Sequence, residues 1–101
     1  MKRSTHEEVL NGLEERLREG GRYERIRRHV DYSIRGIEGE LDIEGTRLSG
    51  RKVYFEVKSK HNEGAWKRAV EQFDRLEAAQ PGKYWFVYYT PQRVIMYRPR
   101  Q

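Results

Sequence analysis

The alternation of apolar and polar positions divides the chain into seven segments. Val9, Leu10, Leu13 and Leu17 recur at helical spacing. Ser4 or Thr5 can cap that helix, Glu7 and Glu8 put negative charge where the helix dipole favours it, and Gly20-Gly21 ends it. Ile26, Val30, Tyr32 and Ile34 share one parity with polar residues between them, which is strand alternation with Arg28 the exception on the buried side. Gly36 and Gly39 then loosen the chain. Leu41 and Ile43 alternate with Glu40, Asp42 and Glu44, Ser49-Gly50 makes a turn, and Val53, Phe55 and Val57 alternate with Tyr54, Glu56 and Lys58. This pattern predicts two strands joined as a hairpin. Glu63 to Ala79 reads as a second helix with Trp66, Ala69, Val70, Phe73 and Leu76 on one face, stopped by Pro81-Gly82. Tyr84 to Tyr89 is almost wholly apolar or aromatic, as in a strand covered on both faces. A turn at Thr90-Pro91-Gln92-Arg93 leads to a last strand, Val94 to Tyr97. The order α-β-β-β-α-β-β predicts one α/β domain over residues 1–101, a mixed central sheet flanked by helices.

Composition narrows what such a domain can do. Its 101 residues allow one modest core, and oligomerisation often stabilises domains of this size. Charged residues (37%) match hydrophobic ones (36%), yet an aromatic share of 12% is enough to build a core. The net charge of +5 favours anionic partners, nucleic acid before an anionic membrane surface. The absence of cysteine excludes disulfides, thiolate zinc sites and a cysteine nucleophile. His6, His29 and His61 are scattered without zinc-ligand spacing. No apolar run reaches the length of a signal peptide or a membrane span. The expectation is an intracellular, cytoplasmic protein with no membrane partner; a viral or phage-encoded source is compatible with it.

The central hairpin carries the candidate chemistry. If Leu41, Ile43, Val53, Phe55 and Val57 take the core face, Asp42, Glu56 and Lys58 share the other. Pairing through the Ser49-Gly50 turn would bring them together towards the open end of the hairpin. Two carboxylates suit a hard divalent cation, Mg²⁺ or Mn²⁺, with the Val57 carbonyl as a further ligand. Such an ion acidifies water and offsets charge on a scissile phosphate, while Lys58 can hold the attacking water or stabilise the transition state. Solvated cross-strand ion pairs would give the same pattern.

Gly39-Glu40-Leu41-Asp42-Ile43 followed by Tyr54-Phe55-Glu56-Val57-Lys58-Ser59-Lys60 resembles the motif of the PD-(D/E)XK nuclease superfamily, in particular Holliday-junction resolvases and RecB-type nuclease domains. Leu41 stands where the proline of the motif is expected. The resemblance covers most of the chain and implies a restriction-endonuclease-like fold and metal-dependent hydrolysis of DNA phosphodiesters, on branched or single-stranded DNA. It further implies an acidic residue from the first helix, for which Glu7 is the first choice and Glu8 and Glu14 the alternatives. RecB-like members also place a Gln of the second helix near the site, a position that Gln72 fits.

Backbone contacts to nucleic acid are expected from Lys60, Arg27, Arg28, Arg51 and Lys52; solvated surface charge is the alternative for each. Glu40 shares a face with Asp42 and could support it. Tyr88, Tyr89, Trp66 and Trp85 could stack on bases, although apolar surroundings favour core packing for all four. His6 falls on the apolar face of the first helix and reads as a packed residue. The expected partner is DNA, with RNA as an alternative, and a homodimer would supply two sites for a paired cut. A non-catalytic nucleic-acid-binding module on the same fold is the competing reading.

Overall fold

The computed structural model of the chain describes residues 5–34 and 36–99. Its elements are α1 (His6–Gly20), β1 (Tyr23–Ile34), β2 (Ile37–Arg47), β3 (Lys52–Val57), α2 (Glu63–Ala79), β4 (Tyr84–Tyr89) and β5 (Val94–Tyr97). This is the α-β-β-β-α-β-β order that the sequence predicts. Thr5 caps α1, its side chain accepting from the Glu8 backbone N–H at 3.1 Å, and Asn62 does the same for α2 through Ala65 at 2.8 Å. Ser4, the alternative cap, lies outside the described residues.

The five strands form one sheet in the order β1-β2-β3-β4-β5. Neighbours are antiparallel except β3 and β4, which run parallel with Val57 opposite Tyr89. Parallel strands need a long crossover, and α2 supplies it. The β1–β2 hairpin is longer than the alternation suggests, reaching Ile34 opposite Ile37. Gly36, with φ of 80°, turns it, and the Tyr32 ring lies where a Cβ on Gly39 would stand. These glycines close a hairpin where the sequence suggests a loosened chain.

Apolar side chains pack on both faces of the sheet, which corrects the single core face expected for the central hairpin. On one face Val9, Leu10 and Leu13 of α1 meet Ile43, Val53, Phe55, Val57 and Val87. On the other, Ala69, Phe73 and Leu76 of α2 meet Tyr54, Tyr84, Phe86, Tyr88 and Leu41. The physical reason is that β3 is a central strand, with a helix above and a helix below, so both of its side-chain rows are buried.

Leu41 and Ile43 therefore belong to different cores, although two residues apart on one strand. Side-chain alternation breaks at Asp42, and the β2–β3 ladder ends at the pair Ile43 and Phe55. The neighbouring strand breaks in step. His29 lies between the pairs Arg28–Ile43 and Val30–Leu41, and its φ is 52°, a left-handed conformation rare outside glycine. Arg28 then reaches α1, while Val30 and Tyr32 join the α2 side.

The α2 core rests on Phe73, fully buried against the rings of Tyr54, Phe86 and Tyr97. Phe73→Ala is expected to lower unfolding free energy in urea by about 3–5 kcal/mol, the usual cost of such a cavity. A loss under ~1 kcal/mol would show that this core is not needed for the fold.

Candidate active site

Three elements bring their polar groups to the carboxyl end of β3. Where the β2–β3 ladder stops, the Asp42 side chain replaces a backbone partner, and its Oδ2 accepts from the Val57 N–H at 2.9 Å. That bond holds Asp42 beside Glu56. The Glu56 side chain, on the α2 face, is buried, and its Oε2 accepts from the Tyr54 hydroxyl at 2.7 Å. Tyr54 is in turn fixed by α2, since Gln72 Nε2 donates to its hydroxyl at 2.9 Å and to the Glu40 carbonyl at 3.3 Å. From α1, His6 Nε2 lies 2.9 Å from the Val57 carbonyl oxygen and 3.7 Å from Asp42 Oδ2.

These groups line a pocket of about 350 Å³ together with Lys58, Ser59, Lys60, Asn62 and Arg68. Its floor carries two carboxylates and its rim three cationic side chains. Burial pushes the Glu56 carboxyl up to about 8, with hydrogen bonding to Asp42 and the charge of Asp42 adding to the rise. The Tyr54 hydrogen bond and the Lys58 ammonium pull the other way. Tyr54 itself is pushed well above the usual phenol range by burial first and the Glu56 charge second. It therefore stays a hydrogen-bond donor to Glu56.

Among the described residues no group of three His, Cys, Asp or Glu side chains is arranged to enclose a metal ion. The open arrangement present here nevertheless fits Mg²⁺ or Mn²⁺, which favour one or two carboxylates and keep several waters. Asp42, Glu56 and the Val57 carbonyl would hold the ion, with His6 beside them.

The sequence expectations divide clearly. Asp42, Glu56, Val57, Lys58 and Lys60 come together in the pocket. Gln72 stands behind it and positions Tyr54 rather than lining it. Glu7 is not among the lining residues: it is exposed and pairs with Arg28 at 2.6 Å, and the residue of α1 that turns to the site is its neighbour His6. Glu14 likewise faces Arg28 and Arg18, and Glu8 is an exposed residue in the first turn. Arg28 is thereby engaged by α1. Arg27 and Lys52 face the buried Glu44 at 3.9 and 3.7 Å. Arg51 precedes β3, at the opposite end from Val57, about 17–20 Å along the strand. Glu40 pairs with His29 at 2.8 Å. Sequence reasoning missed His6 and Arg68. For His6 the available signal was its place one turn before Leu10, on the buried stripe of α1.

No protein-family model and no curated protein matches the sequence. Among solved structures, the crystal structure of SSO0001 matches with a TM-score of 0.52 and 19% identity, covering 95% of this chain and 52% of that one. The chain thus spans about half the length of SSO0001. At this identity the likeness shows the fold alone.

The raised Glu56 carboxyl makes stability depend on pH with a definite sign. Unfolded, it releases its proton near 4.5; folded, near 8. Between those values the folded state binds the extra proton, so this contribution is fully present below 4.5 and is lost as pH rises through 8. In EDTA, the urea midpoint of the wild type should fall relative to that of Glu56→Gln as pH rises from 5 to 9. Parallel curves for the two proteins would exclude a buried, proton-holding Glu56.

Proposed function

We propose that the protein is a divalent-metal-dependent nuclease that hydrolyses DNA phosphodiester bonds at the Asp42–Glu56–Lys58 pocket. One observation carries the reading. A buried carboxylate stands beside a second one, under a cationic rim, at a break in the sheet. Burying like charges together is unfavourable unless something neutralises them. A proton does so in the metal-free protein, and a divalent cation would do so in the working one. The motif resemblance to PD-(D/E)XK nucleases supports the same assignment, as does the net charge of +5.

A bound Mg²⁺ would supply an acidified water and offset charge on the scissile phosphate. The chain's own groups have separable tasks. Gln72 and Tyr54 fix Glu56, and the Val57 N–H fixes Asp42, so both carboxylates are set before any ligand arrives. Lys58 extends from the strand end next to them, where its ammonium can orient the attacking water and stabilise negative charge on the phosphorane. Lys60 and Arg68 on the rim can hold the flanking phosphates. DNA is the proposed substrate, RNA the alternative, and two chains related by a two-fold axis would be needed for paired cuts.

Labelled linear, single-stranded and four-way-junction DNAs, incubated with and without Mg²⁺ or Mn²⁺, test the activity directly. Lys58→Ala should lower the cleavage rate by about 10²–10³, while Mn²⁺ binding by calorimetry persists and DNA affinity changes little. Asp42→Asn should lose both Mn²⁺ binding and cleavage. A wild type that cuts none of these DNAs, nor RNA, but binds them would favour a non-catalytic binding module.

A further inference from the structure

The face of the sheet that α1 packs on is only partly covered. α1 lies against β1, β2 and β3. Beyond its reach, on the same face, β4 presents Trp85 and β5 presents Val94 and Met96, which are 43%, 56% and 68% exposed. Trp85 is two residues from Val87, which packs on α1, and Met96 pairs with Val87, so these side chains share that face. The other three residues named as stacking candidates, Tyr88, Tyr89 and Trp66, are buried or half-buried. Trp85 alone of the four is open to a ligand.

The charge around it is mainly positive, with Glu77 the carboxylate that lines the same cavity as Trp85. The guanidinium groups of Arg51 and Arg47 lie 5.1 and 5.6 Å from the Trp85 ring centre. Arg51 is anchored by a 2.8 Å hydrogen bond to the Gly82 carbonyl. Among the described residues, no carboxylate forms an ion pair with Arg47, Arg51 or Arg16. Glu77, half-buried at the same end of β4, accepts from the Gly82 N–H at 3.0 Å. Further along β4, Arg16 reaches the Tyr89 hydroxyl at 3.3 Å. Tyr89 ends β4, and its carbonyl accepts from the Lys58 N–H at 3.0 Å. Trp85 and Tyr89 lie about 13 Å apart along β4, with Val87 buried between them, and the Tyr89 end of the strand adjoins the candidate active site.

We infer that Trp85, flanked by Arg47 and Arg51, is a stacking platform for a base of a single-stranded nucleic acid whose scissile bond lies at the Lys58 pocket. The inference rests on the reading of that pocket as a nuclease site. The indole, 43% exposed with two guanidiniums over its ring, offers a base its remaining open surface, and those guanidiniums, without a carboxylate partner among the described residues, meet the adjacent phosphates. This combination fits an unpaired strand better than a duplex, whose bases are already stacked on one another.

The test is binding, measured in EDTA so that no cleavage occurs. Fluorescein-labelled dT12 and rU12 are titrated with the intact protein, with anisotropy and tryptophan emission as readouts. Wild type should bind one or both, and its emission should be quenched. Trp85→Ala should bind roughly 5- to 100-fold more weakly, the range of one lost base stack, while Trp85→Phe keeps most of the affinity. Arg51→Gln should reduce the salt slope by about one. Equal affinity of wild type and Trp85→Ala, or wild-type emission that dT12 and rU12 leave unchanged, would overturn the platform. So would a wild-type dimer that Trp85→Ala makes monomeric without changing dT12 affinity, since the face would then belong to a second copy of the chain. The two readings fail separately: loss of binding in Trp85→Ala by a protein that cleaves nothing keeps the platform and removes the nuclease, whereas cleavage with unchanged Trp85→Ala binding does the opposite.

Discussion

The hydrogen bond from the Val57 N–H to Asp42 Oδ2 is the interaction on which the pocket depends. A regular hairpin would continue the ladder past Ile43 and leave Asp42 pointing away from β3. Here the ladder stops, and a side chain takes the place of a backbone carbonyl. The backbone donor is satisfied, as a buried N–H must be, and the cost of ending the ladder is limited. At the same point Leu41 crosses to the α2 core and Ile43 stays in the α1 core, so each half of β2 is held by a different helix. The opposing strand makes the matching turn at His29, in the left-handed region. A position unfavourable by itself persists because the two cores determine the chain on either side of it.

This break explains how a small domain can keep two carboxylates close together. Glu56 is buried through the packing of α2, and Tyr54 and Gln72 supply the hydrogen bonds that a buried carboxylate requires. Asp42 is less enclosed and is restrained by one backbone bond. The pair is asymmetric: one member is held in the core and the other faces the pocket. The raised Glu56 carboxyl follows from that asymmetry, because burial falls on one member and the charge of the other adds to it.

Element order was readable in the sequence because helix and strand periods differ and because Thr5, Gly20-Gly21, Gly50 and Pro81-Gly82 act locally as caps and turns. The second face of the core was harder to read. Alternation on β3 marks Val53, Phe55 and Val57 as apolar, but Tyr54 and Glu56 read as solvent-facing until α2 is known to cover them. The break at Asp42 was invisible for a related reason. Leu41 and Ile43 keep strict apolar alternation, and a change of face by tertiary packing leaves no mark on such a pattern. Motif and geometry agree on Asp42, Glu56 and Lys58, because these lie on one hairpin and its spacing is local. They separate on α1, where the choice between His6 and Glu7 depends on a rotation of the helix set by Val9, Leu10 and Leu13.

Net charge proves a poor guide to where a polyanion would lie. Part of the basic sequence is compensated within the fold: among the described residues, Arg18, Arg27, Arg28 and Lys52 pair with carboxylates. Arg27 and Lys52 face the buried Glu44, which also accepts from the Tyr84 hydroxyl at 3.0 Å, and Arg28 is divided between Glu7, Glu14 and Asn11. Each of these cations compensates a carboxylate that would otherwise be left without a partner, so its attraction for phosphate is weakened at short range. Among the described cations that form no ion pair with a carboxylate are Lys60 and Arg68 at the pocket, and Arg47, Arg51 and Arg16 near the α1 face. Lys60 and Arg68 belong to the pocket, and Arg47 and Arg51 to the Trp85 end of β4. On the proposed reading, an anionic chain guided by this distribution would be drawn to the carboxyl end of the parallel strands.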